Sequence, residues 1–141
     1  MKNASVIPDL ETFPSAIDEL PKNVPVVMLN LLRFKDEAQY PPKYPNPACS
    51  GAEAYQRYSD ALAGYLVEAG GEVLSYGKAL SPLIAPDGED WDAMLLVRYP
   101  SADAFKGMMS APGYHQATAH RTAALDDSRL IACETTELFA A

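Results

Sequence analysis

Hydrophobic positions divide the chain into blocks of two periods. Residues 25–34 are nearly unbroken apolar, from Val26 and Val27 through Leu31, Leu32 and Phe34. The run is short, β-branched at its start and apolar on both faces, which predicts a central strand. Residues 50–69 change period. Tyr55, Tyr58, Leu62, Tyr65, Leu66 and Ala69 recur at helical spacing behind a Ser50-Gly51-Ala52-Glu53 capping box, and Gly70-Gly71 ends the run. Residues 72–81 (Val73, Leu74, Tyr76, Leu80) and 91–99 (Trp91 to Tyr99) predict two further strands, with Asp87-Gly88 as the reversal between them. Ser101 caps the next helix, which carries Phe105, Met108 and Met109, breaks at Pro112-Gly113 and resumes to Leu125. Residues 128–136 close the chain with a fourth strand. Ahead of all this, residues 9–20 predict a short helix with Asp9 or Thr12 as cap, Pro14 in its first turn, and Ile17 and Leu20 as its apolar stripe.

Beyond that helix the order is β-α-β-β-α-β. Two such halves predict an α+β, ferredoxin-like fold: a four-stranded antiparallel sheet with both helices on one face. Met28–Phe34 echoes Met94–Tyr99, each strand ending in Arg-aromatic, which marks those two as the central pair. The expected layout is one domain over 1–141: an N-terminal helix extension (1–24), the core (25–136), and within it a loop insertion (35–49). Pro41, Pro42, Pro45 and Pro47 exclude helix and ladder from that loop. Its Tyr40 and Tyr44 point to packing across a partner or around a pocket rim.

Composition narrows the function classes. Apolar residues make up 48% and charged residues 21%, a globular balance. Nineteen acids against eleven Lys and Arg give a net charge of -8, which argues against nucleic acid and anionic membrane as partners. Cys49 and Cys133 are too few for a disulfide framework or a cysteine zinc site. With neither a signal peptide nor a long apolar run, a cytoplasmic protein is the expectation.

The fold carries its own implication about partners. The strands are apolar on both faces while helices cover only one, so the bare face needs cover. A second copy, sheet against sheet in a homodimer, is the simplest.

Five segments carry a resemblance in matching order: Val27–Phe34, Ser50–Tyr55, Gly70-Gly71, Arg98–Ser101, and Pro112-Gly113-Tyr114 through Arg121. From about residue 25 to about 133 the chain resembles the family known as domain of unknown function 1330. The resemblance implies a dimeric α+β barrel whose subunits enclose pockets between sheet and helices. Relatives by fold include cofactor-independent monooxygenases, muconolactone isomerases, haem binders and ligand-sensing domains. The family therefore implies a fold and a pocket but no reaction.

Candidate chemistry is sparse. His115 and His120, five apart on one helix, point about 140° from each other, unlike an i,i+4 metal pair. Nucleotide-loop and nucleophile-elbow patterns are missing, so no cofactor is expected. Cys49, just before a helix, and Cys133, among apolar strand residues, read as an incidental thiol and a packing residue. Trp91, at a strand start, reads as core. The expected substrate-binding set is Asn30, Arg98, Tyr114 and Arg121. Asn30 interrupts the most apolar strand and is either a structural bridge or a ligand contact. Tyr114 and Arg121, seven apart on one helical face, either orient a carboxylate or enolate or stack to pin the helix. Alternation along the first strand puts Leu29 and Leu31 under the helices, whereas aligning the two Arg-aromatic ends puts Asn30 there. The expectation adopted is that Asn30 and Arg98 both face the pocket. His115, His120 and Asp92 are the candidate bases. Three classes stay open: a cofactor-independent monooxygenase- or isomerase-like enzyme on an apolar oxygenated metabolite, a non-catalytic small-molecule binder, and a structural dimer.

Overall fold

The computed structural model describes Val6 and residues 13–136. Their order is α1 (Phe13–Asp18), β1 (Val26–Phe34), α2 (Gly51–Glu68), β2 (Glu72–Lys78), β3 (Ala93–Tyr99), α3 (Ala102–Met109), α4 (Tyr114–Ala124) and β4 (Leu125–Cys133). The strands form one four-stranded sheet in the order β2-β3-β1-β4, antiparallel throughout. This is the expected α+β, ferredoxin-like arrangement, with β1 and β3 at the centre. The caps are those the sequence predicts. Ser50 and Glu53 form a reciprocal capping box at α2, and the Ser101 side chain accepts from the amide of Ala104 at α3. The last helical block is split where Gly113 takes a left-handed conformation (φ 85°), which no β-carbon favours. The N-terminal helix is present over Phe13–Asp18, and its expected caps, Asp9 and Thr12, lie outside the described residues. No helix among the described residues is long and apolar enough to cross a membrane.

Register decides which side chains meet the helices. β1 and β3 pair without a shift, with Asn30 opposite Leu95 and Val27 opposite Arg98. Paired residues share a face and neighbours along a strand alternate. Val26, Met28, Asn30 and Leu32 of β1 therefore face the helices with Ala93, Leu95, Val97 and Tyr99 of β3. Leu29 and Leu31 face away, beside Met94 and Leu96. Asn30 and Arg98 thus lie on opposite faces, which corrects the expectation that both face the pocket. No bulge is needed between them.

The core lies under the helices in two clusters. One joins Leu32, Ala54, Tyr55, Tyr58, Ala93, Ala124 and Leu125; the other joins Ile17, Val26, Met28, Val97, Tyr99, Phe105 and Met108. The first is locked at Gly51. Lys35 N–H donates to Ala124 C=O at 2.8 Å and Gly51 N–H donates to Lys35 C=O at 3.0 Å, so β1's exit, the start of α2 and the end of α4 meet at one point. A β-carbon at Gly51 would overlap the carbonyls of Lys35 and Ala124. The proline-rich loop is tied to the same place, with Ala38 N–H donating to Cys49 C=O at 2.9 Å and Gln39 N–H to Ala123 C=O at 3.0 Å.

Three boundary expectations are corrected. β4 begins at Leu125 rather than residue 128, directly after α4. Asp126 and Asp127 do not look like strand residues, but both pair with Arg33 of β1, at 3.0 and 3.5 Å. β2 ends at Lys78 rather than 81, and Val73, Leu74 and Tyr76 are exposed, because β2 is the sheet edge beyond the helices' cover. β3 begins at Ala93, leaving Trp91 outside the strand, where the Arg129 guanidinium stacks 5.0 Å from its ring centroid. Cys133 is likewise exposed rather than packed, opposite Val27 on the face without helices.

Gly51→Ala is expected to destabilise the fold by about 1–3 kcal/mol, because the added methyl can be placed only by moving backbone. Leu32→Ala, which removes a fully buried side chain, should cost about 2–5 kcal/mol. Urea titrations of both variants check these values. An unchanged midpoint for Gly51→Ala would contradict the junction.

Candidate functional site

A cavity of about 720 Å³ opens between the helix-side face of the sheet and the helices. Met28, Leu62, Leu95, Val97, Phe105, Met108 and Met109 make most of its wall apolar. Small-molecule sites are commonly of this kind, an apolar hollow with a few placed polar groups. Here the polar groups are Asn30, four tyrosines, Thr118, Arg121 and Ser128, with Arg129 bordering the cavity from a β4 position that faces away from the helices.

Each is positioned by its element. Asn30 sits mid-strand in β1, its amide nitrogen donating to the carbonyls of Met28 and Leu95, both at 3.3 Å. Those two bonds satisfy the NH2 group and leave Oδ1 as the acceptor end, without a protein partner among the described residues. Tyr55 and Tyr58 come from the buried face of α2, Tyr99 from the end of β3 and Tyr114 from the first turn of α4. Burial pushes the Tyr55 phenol up to about 12, with Arg121 opposing the shift and Tyr76 and Tyr114 adding to it. Burial likewise raises Tyr58 and Tyr99 well above the usual phenol range, and in both the nearby Tyr114 and Tyr55 add to the shift. These three phenols are neutral hydrogen-bonding groups at pH 7.

Arg121 stands two turns along α4 from Tyr114, as its spacing predicts, and both line the cavity. The guanidinium donates to Val6 C=O at 2.8 Å and to Ser128 Oγ at 3.4 Å. It makes no ion pair among the described residues. Ser128, the hydroxyl partner of Arg121, faces the helices opposite Leu32 and lies diagonal to Asn30 across the β1–β4 ladder. Buried Thr118 Oγ1, also on the wall, has no hydrogen-bond partner.

The remaining candidates lie elsewhere. Arg98 is exposed on the other sheet face, beside Glu72. His115 is exposed. His120 Nδ1 meets the Tyr40 hydroxyl at 2.7 Å, and burial followed by the nearby Arg57 lowers its pKa, so its ring is neutral at pH 7. Arg57 in turn donates to Tyr40 at 3.3 Å and to Pro47 C=O at 2.9 Å. The proline-rich loop is thus packed on its own chain, and none of residues 35–49 lines the large cavity. Asp92 accepts from the Phe34 amide at 2.8 Å beside a second concavity of about 510 Å³, where Lys35 and Lys78 are matched by Asp36 and Asp92. No group of three or more His, Cys, Asp or Glu among the described residues could hold a metal ion. The tyrosine ring around the cavity escapes a sequence reading, because Tyr55, Tyr58 and Tyr99 look like ordinary core aromatics until helix and strand are brought together.

Comparison with known proteins follows the same outline. A protein of unknown function from Rhodopseudomonas palustris is 34% identical, with a TM-score of 0.85 over 96% of this chain and 99% of that one. A hydroxynitrile lyase from Passiflora edulis shares the fold at 13% identity, with a TM-score of 0.56 over 84% of this chain and 99% of that one. So does a dimeric protein of unknown function with a ferredoxin-like fold from Bacteroides fragilis, at 14% identity and TM-score 0.50, over 82% of this chain and all (100%) of that one. Among curated proteins none matches. The family model described as Domain of unknown function (DUF1330) matches residues 48–135, most of the chain, and the protein belongs to that family.

Proposed function

We propose that the protein is a homodimeric α+β-barrel protein that binds an apolar, oxygenated small metabolite in the cavity between helices and sheet. Asn30, Tyr114 and Arg121 are its polar contacts. The observation that carries the reading is the cavity itself: about 720 Å³, walled by aliphatic and aromatic side chains, with Asn30 Oδ1 lacking a partner among the described residues. Unpaired polar groups at an apolar wall are where a ligand's oxygen atoms add hydrogen bonds. Arg98, on the far face, has no place in this site.

Homodimerisation rests on the sheet face that no helix covers. Leu29, Leu31, Met94 and Leu96 lie at its centre with Ile131 half-exposed beside them. The β2–β3 connection adds Leu80, Leu83 and Ile84, which are 88%, 92% and 100% exposed. So much exposed apolar surface is characteristic of an interface. The Bacteroides fragilis neighbour, described as dimeric, is in keeping with a second copy as the cover.

Binding is favoured over catalysis because no carboxylate, imidazole or amine lines the cavity among the described residues, and the phenols, kept protonated by burial, supply hydrogen bonds rather than a base. Cofactor-independent oxygenation or isomerisation remains the second reading. It draws on the same phenols as proton donors to a developing oxyanion, and it needs a substrate acidic enough to ionise without a protein base.

Two measurements test this. Sedimentation at micromolar concentration should give a species of twice the 15.3 kDa chain mass, and Leu96→Arg should shift it to monomer; a wild-type monomer would overturn the dimer. A thermal-shift panel of phenols and lactones should raise the melting temperature saturably, as expected from about 2.7 kcal/mol of stabilisation at a hundredfold excess over Kd. Leu62→Trp, which fills the cavity, should abolish the shift. A shift undiminished in that variant would place the ligand elsewhere.

A further inference from the structure

Resting on the reading of the cavity as a ligand site, the structure assigns its ligand a charge: we infer that the cavity takes an apolar monoanion whose delocalised oxyanion, a carboxylate or an enolate, docks on Arg121.

The argument is an inventory of charge at the cavity wall. Among the described residues Arg121 and Arg129 border it, but Arg129 pairs with Leu31 on the face away from the helices and is neutralised there, with Asp127 at 3.0 Å and Glu89 at 3.2 Å. Arg121, on α4, has only a backbone carbonyl and a hydroxyl as partners among the described residues, although a guanidinium carries five N–H donors. No aspartate or glutamate lines the wall among the described residues, in a chain whose nineteen acids outnumber its eleven Lys and Arg. A half-buried guanidinium beside aromatic walls, with no carboxylate partner among the described residues of so acidic a chain, is poised for an anion that is not part of the protein. Its planar fork matches a planar two-oxygen group in a bidentate pair. Arg129 is the contrast: an arginine of β4, on the sheet's other face, that already has its carboxylates.

The surroundings set the rest of the ligand. Tyr58, Tyr99, Phe105 and Tyr114 offer ring faces and edges suited to a flat body. Asn30, diagonal across the ladder from Arg121's partner Ser128, presents a carbonyl oxygen and therefore reads a donor on the ligand, such as a hydroxyl. The class is a hydroxylated aromatic or alicyclic acid, or its enol counterpart. A dianion is disfavoured, because among the described residues only one uncompensated positive charge faces the cavity.

Calorimetric titration of the full chain with naphthoate and with its neutral isostere naphthamide tests the charge, and a cyclic β-diketone ionised at neutral pH tests the enolate form. Naphthoate should bind about tenfold or more tightly than naphthamide, and added salt should weaken naphthoate alone. Arg121→Gln should erase the preference while naphthamide binding survives, and Arg121→Lys should keep part of it. Because Arg121 also ties Val6 to the sheet, the salt dependence on the wild-type chain stands even if the Gln variant does not fold. Binding of the diketone but not naphthoate would assign an enolate; the reverse would assign a carboxylate. Equal affinities for naphthoate and naphthamide would overturn the inference and leave the cavity reading intact. Binding of none of the three probes would overturn both.

Discussion

The in-register pairing of β1 with β3 is the constraint on which everything else depends. Because side chains alternate across a strand, placing Asn30 opposite Leu95 commits every residue of both central strands to one face or the other. Slipping that ladder by one residue would bury Arg98 against the helices and turn Val97 and Tyr99 outward. The observed register keeps every charge off the helix side of β1 and β3 and admits one polar side chain, Asn30, whose amide is held by two backbone carbonyls. The cavity floor, the core and the uncovered face are three consequences of one alignment.

That alignment also explains why the cavity is polar in so few places. The helices meet the sheet through large side chains, Tyr55, Tyr58, Tyr99, Phe105 and Met108, which prop the layers apart as well as join them. Their hydroxyls are buried, and burial raises their pKa values, so they contribute hydrogen-bonding capacity without charge. Arg121 is the exception, and its setting is energetically distinctive. A guanidinium in an apolar wall loses hydration that a carbonyl and a hydroxyl only partly replace. An arginine needed only to pin Val6 to β4 would gain from a carboxylate there, as Arg33 and Arg129 do at the sheet's other positions.

Away from the cavity, one end of the sheet is both held and left open. There Gly51 brings three backbone segments into contact, and the proline-rich loop is stitched on through Tyr40, His120 and Arg57. At the same end, where Lys78 and Ala93 pair beside the exit of β1, the β2–β3 connection carries Leu80, Leu83 and Ile84 into solvent. Tyr40 of the loop thus completes the chain's own packing, whereas the β2–β3 connection is the part with apolar surface to spare.

The order of elements, their caps, the central pair of strands and the presence of an uncovered apolar face were all determined by the sequence alone. Those features follow from local periodicity and from end chemistry such as Ser50-Glu53, which act over a few residues. Tyr114 and Arg121 were legible as a pair for the same reason, since their seven-residue spacing on one helix fixes their common face. Pairings between distant segments were decided only by the tertiary structure. Arg98 looked equivalent to a pocket residue because its strand ends like β1, yet antiparallel pairing sets it opposite Val27 and sends it to the other face. β4 begins early because Asp126 and Asp127 find Arg33 more than ninety residues away in the sequence. The ring of tyrosines and the unpaired state of Arg121 are likewise facts of assembly. A side chain's own type says that it is charged or aromatic, but only the packing of α2 and α4 over the sheet settles what, if anything, stands beside it.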